Sequence, residues 1–115
     1  RLYTVIRPAE TARLLELGRL GEFVVNINTV VDHYCREVSG LDGYDLPDPV
    51  AMAVAIDDTL VTEASDHAMV VGLDEPTRGA VLLDRRACAP EPNCRVIWKV
   101  DEQRFKQRLF DACTR

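Results

Sequence analysis

Several features that mark common functional classes are scarce or absent in this sequence of 115 residues. Its four cysteines form no CxxC pair and no zinc-binding spacing, which excludes a zinc finger or ribbon. No apolar run approaches the roughly 20 residues that a membrane-spanning helix needs, and no signal peptide is visible. The 14 Lys and Arg residues face 19 Asp and Glu, so the net charge is -5 without a basic cluster. That balance argues against a nucleic-acid or anionic-membrane partner.

The sequence does contain enough apolar residues for a folded core. They make up 47% of the chain, and a chain of this size buries about two-thirds of its unfolded surface. We therefore expect one domain over residues 1–115. Because the chain begins at Arg1 rather than Met, we expect a fragment, a processed piece or a trimmed chain. Cys88 and Cys94 flank a proline-rich loop and could pair, but reduced thiols in a cytoplasmic protein are the favoured interpretation.

Periodicity and turn signals predict an α/β layer protein with some antiparallel pairing. The predicted strands are residues 2–6, 68–71, 79–83 and 95–100, and the predicted helices are 8–17, 22–38, 49–56 and one that follows Asp101. The helix over 22–38 has an apolar stripe at spacings of three and four, formed by Phe23, Ile27, Val30, Val31, Tyr34 and Val38.

The C-terminal third has three further signals. Strands 79–83 and 95–100 are joined by a long loop, which predicts a hairpin. Asp101 is expected to cap the last helix. That helix should dock through one face, which carries Phe105, Leu109 and Cys113.

One acidic side chain has an unusual setting. Asp48 lies between Pro47 and Pro49, and an apolar run of small residues follows as far as Ile56. Pro49 suits the first position of a helix, because its φ is fixed near the helical value and it needs no N–H donor. Proline also disfavours the α region for the residue before it, so Asp48 is expected at the N-cap. Two interpretations stay open: a plain N-cap, worth about 1 kcal/mol, or a metal or substrate ligand aimed by rigid backbone.

The segment around Asp48 resembles the aspartate-containing segment near the C-terminal end of the nucleoside hydrolases, the calcium-dependent N-ribohydrolases. Other parts of the chain resemble that family in the same order, so that the resemblance covers nearly the whole chain. In chain order the similar stretches are 17–23, Tyr34, 46–61, 77–79, 81–84, 92–96 and the closing helix with Phe105. The resemblance implies the C-terminal part of an open-sheet α/β fold with mixed strands and a closing helix.

The resemblance also implies an activity and a set of site residues. Nucleoside hydrolases cleave the N-glycosidic bond of ribonucleosides to base and ribose, and they use a calcium ion held by several aspartates. By this resemblance Asp48 is a calcium ligand and contacts the substrate, and Tyr34 and Tyr44 contact the base. A core position for Tyr34 and a loop anchor for Tyr44 are the structural alternatives. A homo-oligomer is also expected.

Two departures from the family weaken the enzymatic interpretation. The family's N-terminal aspartate-rich loop and its ribose-binding segment have no counterpart here, so calcium binding and catalysis would require a missing N-terminal half. Many members also carry a His, which protonates the leaving base, where this chain has Pro47. Proline has no titratable group. The alternative is a non-catalytic hydrolase-like module for assembly or for binding a nucleoside-like ligand.

Overall fold

A computed structural model describes residues 4–114, which divide into two compact units. The first unit comprises residues 4–60 with 101–114, and the second comprises 61–100. The elements in chain order are β1 (Val5–Ile6), α1 (Pro8–Glu16), α2 (Arg19–Ile27), α3 (Thr29–Glu37), β2 (Tyr44–Asp45), α4 (Pro47–Ile56), a 3-10 turn (Asp58–Leu60), β3 (Val61–Val71), β4 (Val81–Asp84), β5 (Cys94–Val100) and α5 (Glu102–Cys113).

The α/β class and the closing helix are confirmed. Residues 2 and 3 of the predicted first strand lie outside the described residues. No helix within residues 4–114 is long and apolar enough to cross a membrane. All four cysteines are free thiols, two of them buried and two exposed.

The first unit is organised around one hydrophobic core beneath a short two-stranded ladder. In that antiparallel ladder Ile6 lies opposite Tyr44, and both side chains are buried. Two turns of α5 face them, with Phe105 and Phe110 in the same cluster. The other buried members are Leu14, Cys35, Leu46 and Cys113. Helix α5 therefore docks through the face that the sequence predicts, and its predicted cap is confirmed by the Arg104 amide, which donates to the Asp101 carboxylate at 3.0 Å.

The second unit is an antiparallel sheet with β3 at its centre. Its strand order is β4-β3-β5, with Met69 opposite Leu83 on one side and Ser65 opposite Val96 on the other. The predicted hairpin of the last two strands is wrong, because each pairs with β3 instead. The strand predicted over 95–100 is confirmed, and its side chains alternate: Val96, Trp98 and Val100 are half-buried, while Ile97 and Lys99 are exposed.

The single long helix predicted over residues 22–38 is wrong, because the structure divides this stretch into two helices. It is broken at Asn28, where the side-chain amide donates to the Val24 carbonyl at 2.8 Å, so that α2 ends and α3 begins at this residue. A side chain that bonds nearby backbone groups competes with the helical ladder. The apolar stripe also does not face the core of its unit: Phe23 and Ile27 are exposed, and Val30 is 79% exposed.

A buried lysine joins the last helix to the start of the first one. Lys106 is only 8% exposed, and its Nζ lies 2.9 Å from Glu10 Oε1 and 2.7 Å from Glu102 Oε1. Glu10 also accepts from the Arg7 amide at 2.9 Å, which closes the N-terminal turn of α1. Because a buried charge is tolerated only when it is paired, the two carboxylates are what allow Lys106 to lie within the core.

The ion pair between Glu10 and Lys106 predicts that the protein loses stability at acidic pH. Burial acts to raise the pKa of Glu10, but the Arg7 amide and Lys106 outweigh it, so the pKa is lowered. A carboxyl with a lowered folded-state pKa contributes stability above its unfolded-state pKa of about 4.3 and loses it as the pH falls further. Between about pH 6 and pH 3 the Tm should therefore fall less in Glu10→Gln than in the parent chain. Thermal melts across that range, with the exposed Glu16→Gln as control, check this; equal acid sensitivity of parent and Glu10→Gln would contradict it.

Candidate functional site

The start of α4 differs from the sequence-based expectation by two residues. The helix begins at Pro47, and Leu46 is its N-cap with φ -122° and ψ 65°. The prediction that Asp48 is the N-cap is therefore wrong, because Asp48 occupies the second helical position. Both prolines fit here, since the first turn of a helix contributes no N–H groups to its ladder. The first ladder bond runs from the Val50 amide to the Leu46 carbonyl at 3.1 Å.

At this position Asp48 is exposed to solvent. It also lies in the first turn of α4, where a negative charge is favourable. The N-terminal end of a helix carries a partial positive charge that stabilises an acidic side chain in the first turn. The two nearest acidic side chains, Asp45 and Asp42, are bound to other groups of the protein. Asp45 accepts from the Thr4 and Leu46 amides at 3.1 and 3.0 Å, and burial raises its pKa despite these bonds. Asp42 pairs with Arg7 at 2.9 Å. Asp48 is thus the carboxylate of this stretch that is placed to accept a ligand.

An open groove of about 620 Å³ begins directly after Asp48, between α4 and α5. Its lining is mostly apolar and consists of Pro49, Met52, Ala53, Ile56, Phe105, Arg108, Leu109, Asp111 and Ala112. Asp48 itself is not one of the lining residues, but Pro49, which follows it in the sequence, is.

The far end of α4 is held by Asp57, the residue that directly follows the helix. Asp57 accepts from the Thr59 amide at 3.0 Å and from its hydroxyl at 2.6 Å. It also pairs with Arg108, which lines the groove. The Thr59 bonds, with the charge of Arg108, lower the pKa of Asp57. Asp57 therefore fixes α4 to α5 and is not a candidate metal ligand.

The structure separates the two tyrosines proposed to contact the base. Tyr44 is 1% exposed and belongs to the core cluster, so it offers no surface to a nucleobase and acts as the anchor of its loop. Burial also raises its pKa. Tyr34 lies on α3 with 58% of its surface exposed, and its contact with a base stays a prediction.

The described residues do not form a metal site by themselves. No group of three or more His, Cys, Asp or Glu side chains within residues 4–114 could hold a metal ion. Calcium takes six to eight oxygen ligands, and a single carboxylate has only two oxygens to offer. The donor set of this chain is therefore incomplete for the ion that the resemblance implies.

Sequence reasoning also missed a polar cluster on the sheet of the second unit. Ser65 Oγ lies 2.8 Å from His67 Nε2, and the Trp98 indole N–H donates to the same hydroxyl at 2.7 Å. Residues 65 and 67 share one face of β3, because side chains alternate along a strand. The spacing of two residues between Ser65 and His67 in a predicted strand would have indicated that their side chains lie on the same face. The cluster ties β3 to β5.

Comparison with known proteins identifies the family. The family model described as inosine-uridine preferring nucleoside hydrolase matches residues 2–107. This chain belongs to that family. No curated protein matches the chain.

Two solved nucleoside hydrolases have a similar fold. The purine-preferring ribonucleoside hydrolase from Gardnerella vaginalis is 30% identical, with a TM-score of 0.74 over 96% of this chain and 37% of its own. The plant nucleoside hydrolase PpNRh1 is 26% identical, with a TM-score of 0.72 over 90% of this chain and 36% of its own. The chain thus spans little more than a third of the length of these hydrolases.

The position of Asp48 predicts a small effect on stability. Because it is not the N-cap, Asp48→Ala should lower the free energy of unfolding by no more than about 0.5 kcal/mol, through the helix dipole alone. The matched variant Asp101→Ala removes a real cap bond and should cost about 1 kcal/mol. Urea unfolding of both variants measures the difference. A larger loss in Asp48→Ala than in Asp101→Ala would contradict the observed helix start.

The buried hydroxyl of Tyr44 gives a second prediction. By hydrogen-bond geometry, neither the Tyr44 hydroxyl nor the Thr11 hydroxyl has a partner among the described residues. A buried polar group without a partner costs about 1–3 kcal/mol. Tyr44→Phe should therefore leave the free energy of unfolding unchanged or raise it, while Tyr44→Ala lowers it by about 3 kcal/mol or more. Marked destabilisation by Tyr44→Phe in urea unfolding would show that the hydroxyl has a partner.

Proposed function

We propose that this chain forms the C-terminal part of a nucleoside hydrolase that cleaves the N-glycosidic bond of ribonucleosides to base and ribose. In this proposal Asp48 contributes one carboxylate to a calcium site. The remaining ligands come from an N-terminal half, so that the chain alone hydrolyses nothing. The observation that carries the proposal is an exposed carboxylate in the first turn of a helix, beside an open groove, in a chain of this family.

The backbone around Asp48 supports its role as a ligand. Pro47 and Pro49 flank it within the first helical turn, and proline fixes φ near -65°. The carboxylate therefore emerges from a backbone with little freedom, which lowers the entropy lost when a ligand is bound. An acidic side chain on a flexible loop would lose more conformational entropy on binding the ligand.

The substrate is proposed by class alone. The Gardnerella vaginalis relative is described as purine-preferring, and we propose a ribonucleoside for this chain without choosing the base. Tyr34, exposed on α3, is the aromatic side chain that we propose to stack on the base. A stacked aromatic ring would help to hold the base, but it cannot donate the proton that the leaving base needs.

Catalytic activity can be tested in a complete enzyme. The chain joined to the N-terminal part of a nucleoside hydrolase should release base from a ribonucleoside in a calcium-dependent manner. Asp48→Ala should lower kcat/KM by at least about tenfold at limiting calcium, because ligand loss weakens metal binding. The matched control is Asp58→Ala, which removes an exposed acid after the other end of α4. Activity that is independent of calcium, or unchanged by Asp48→Ala, would overturn the assignment.

A second candidate function is a non-catalytic module, and the observation that favours it is Pro47. This residue occupies the first position of α4, where it offers no proton to a leaving base. Under this alternative the complete protein binds a nucleoside without turnover. Thermal shift distinguishes the two, since a ligand that binds only the folded state raises the Tm. A raised Tm with inosine or uridine but no base release, with or without calcium, supports the module.

A further inference from the structure

Three side chains on the sheet of the second unit, Ser65, His67 and Trp98, are in mutual contact. Ser65 Oγ lies 2.8 Å from His67 Nε2, and the Trp98 indole nitrogen lies 2.7 Å from the same Oγ. The rings of His67 and Trp98 meet edge to face, with centroids 5.8 Å apart and an interplanar angle of 87°. A hydroxyl at hydrogen-bonding distance from an imidazole is the arrangement of a nucleophile and its base.

The donors and acceptors of this cluster decide where its protons lie. The indole N–H is a donor only, so Ser65 Oγ accepts from Trp98. The proton of the Ser65 hydroxyl is then available to His67. In the neutral imidazole with its own proton on Nδ1, Nε2 accepts that hydrogen bond. The bond therefore runs from Oγ to Nε2, which is the direction in which a general base withdraws a proton.

Trp98 holds the two reacting groups in place. Its N–H restricts the rotation of the Ser65 hydroxyl, and its ring packs against the imidazole of His67. The backbone beneath them is paired, because Ser65 lies opposite Val96 and His67 lies opposite Cys94 in the ladder between β3 and β5. Groups that are already held in their reacting geometry lose less freedom on reaching the transition state.

The hydroxyl is the accessible member of the cluster. Ser65 is exposed, whereas His67 and Trp98 are half-buried. Val96, directly opposite Ser65, is half-buried as well. Residues directly opposite each other share a face of the sheet, so that apolar surface flanks the hydroxyl. These surroundings suit a reactant that carries a short apolar group beside its reactive carbon.

We propose that Ser65 is a nucleophilic serine that takes an acyl group from activated esters of short apolar carboxylic acids, with His67 as its base. In the acylation step the bond from Oγ to the carbonyl carbon forms, and the bond from that carbon to the leaving oxygen breaks. The proton of Oγ passes to Nε2 and from there to the leaving oxygen. Water then cleaves the acyl group from Ser65 with His67 again as base, which releases the acid and restores the serine.

The acylation can be measured on the chain of residues 1–115 with p-nitrophenyl butyrate. Release of nitrophenolate is followed by absorbance, and acid-quenched samples are mapped by mass spectrometry. The matched control is Thr62→Ser, which places a second serine hydroxyl at an exposed position of the same strand. Ser65 should be acylated at least about tenfold faster than position 62 of this variant, since a general base contributes about 10²- to 10⁴-fold. Equal acylation at the two positions would overturn the proposal.

Two substitutions distinguish a base from a structural contact. His67→Gln still offers Ser65 an acceptor oxygen, but an amide does not take up the proton. It should leave the Tm nearly unchanged and slow the acylation of Ser65 at least about tenfold. Ser65→Ala should reduce nitrophenolate release to the same low level. If His67→Gln reacts at the rate of the parent chain, or Ser65→Ala releases nitrophenolate as fast as the parent, the cluster only joins two strands and the proposal fails.

Calcium separates this reaction from the hydrolysis of nucleosides. The proposed nucleoside hydrolase needs the ion and an N-terminal half, whereas the acylation of Ser65 uses neither. Acylation should therefore proceed at the same rate in the chain alone with calcium or with EDTA, whether or not a complete hydrolase turns over ribonucleosides. Loss of the acylation in EDTA would show that a metal ion and not His67 activates the hydroxyl, and would overturn the assignment.

Discussion

The placement of two prolines at the start of α4 is the constraint on which the site depends. From the fourth helical position onwards a proline would remove a ladder bond and clash with a carbonyl. With Pro47 first and Pro49 third, the helix keeps both prolines within the turn that donates no ladder bonds. This register decides that Asp48 is a first-turn residue and not a cap. It also decides that Asp48 shares a face with Met52.

Two anchors then hold α4 against its unit from one side. Leu46, directly before the helix, is buried in the core cluster. Asp57, directly after it, is bound by Thr59 and Arg108. Between these anchors only the inner residues of α4 reach the core. The helix is thus fixed in direction, while Met52 and Ile56 on its other side stay exposed.

The family of this chain and the metal donors among its described residues do not match. It belongs to a hydrolase family, yet its described residues form no complete metal site. Exposed large apolar side chains lie on α2, α3 and α4, and also in the second unit, for example Val70 and Val81. Large contiguous apolar surfaces mark sites of interaction. Both observations fit a chain that spans little more than a third of the length of the solved hydrolases that it resembles.

Local signals predicted the elements whose ends are set by neighbours in sequence. Pro8 begins α1, Asp101 caps α5, and the alternation of β5 follows from its own residues. Each of these depends on bonds or spacings within a few positions. A short apolar helix around residues 49–56 is also predicted by local signals. The observed helix begins two residues earlier, at Pro47.

The α/β class, most of the helices and the setting of Asp48 between two prolines follow from the amino-acid sequence alone. Strand pairing does not, because it depends on contacts between distant residues: β3 pairs with both β4 and β5, which do not pair with each other. Only the tertiary structure showed that the stripe with Phe23 and Val30 is exposed, while Tyr44 is buried. Periodicity reveals that a helix has an apolar side, but what covers that side depends on residues distant in sequence.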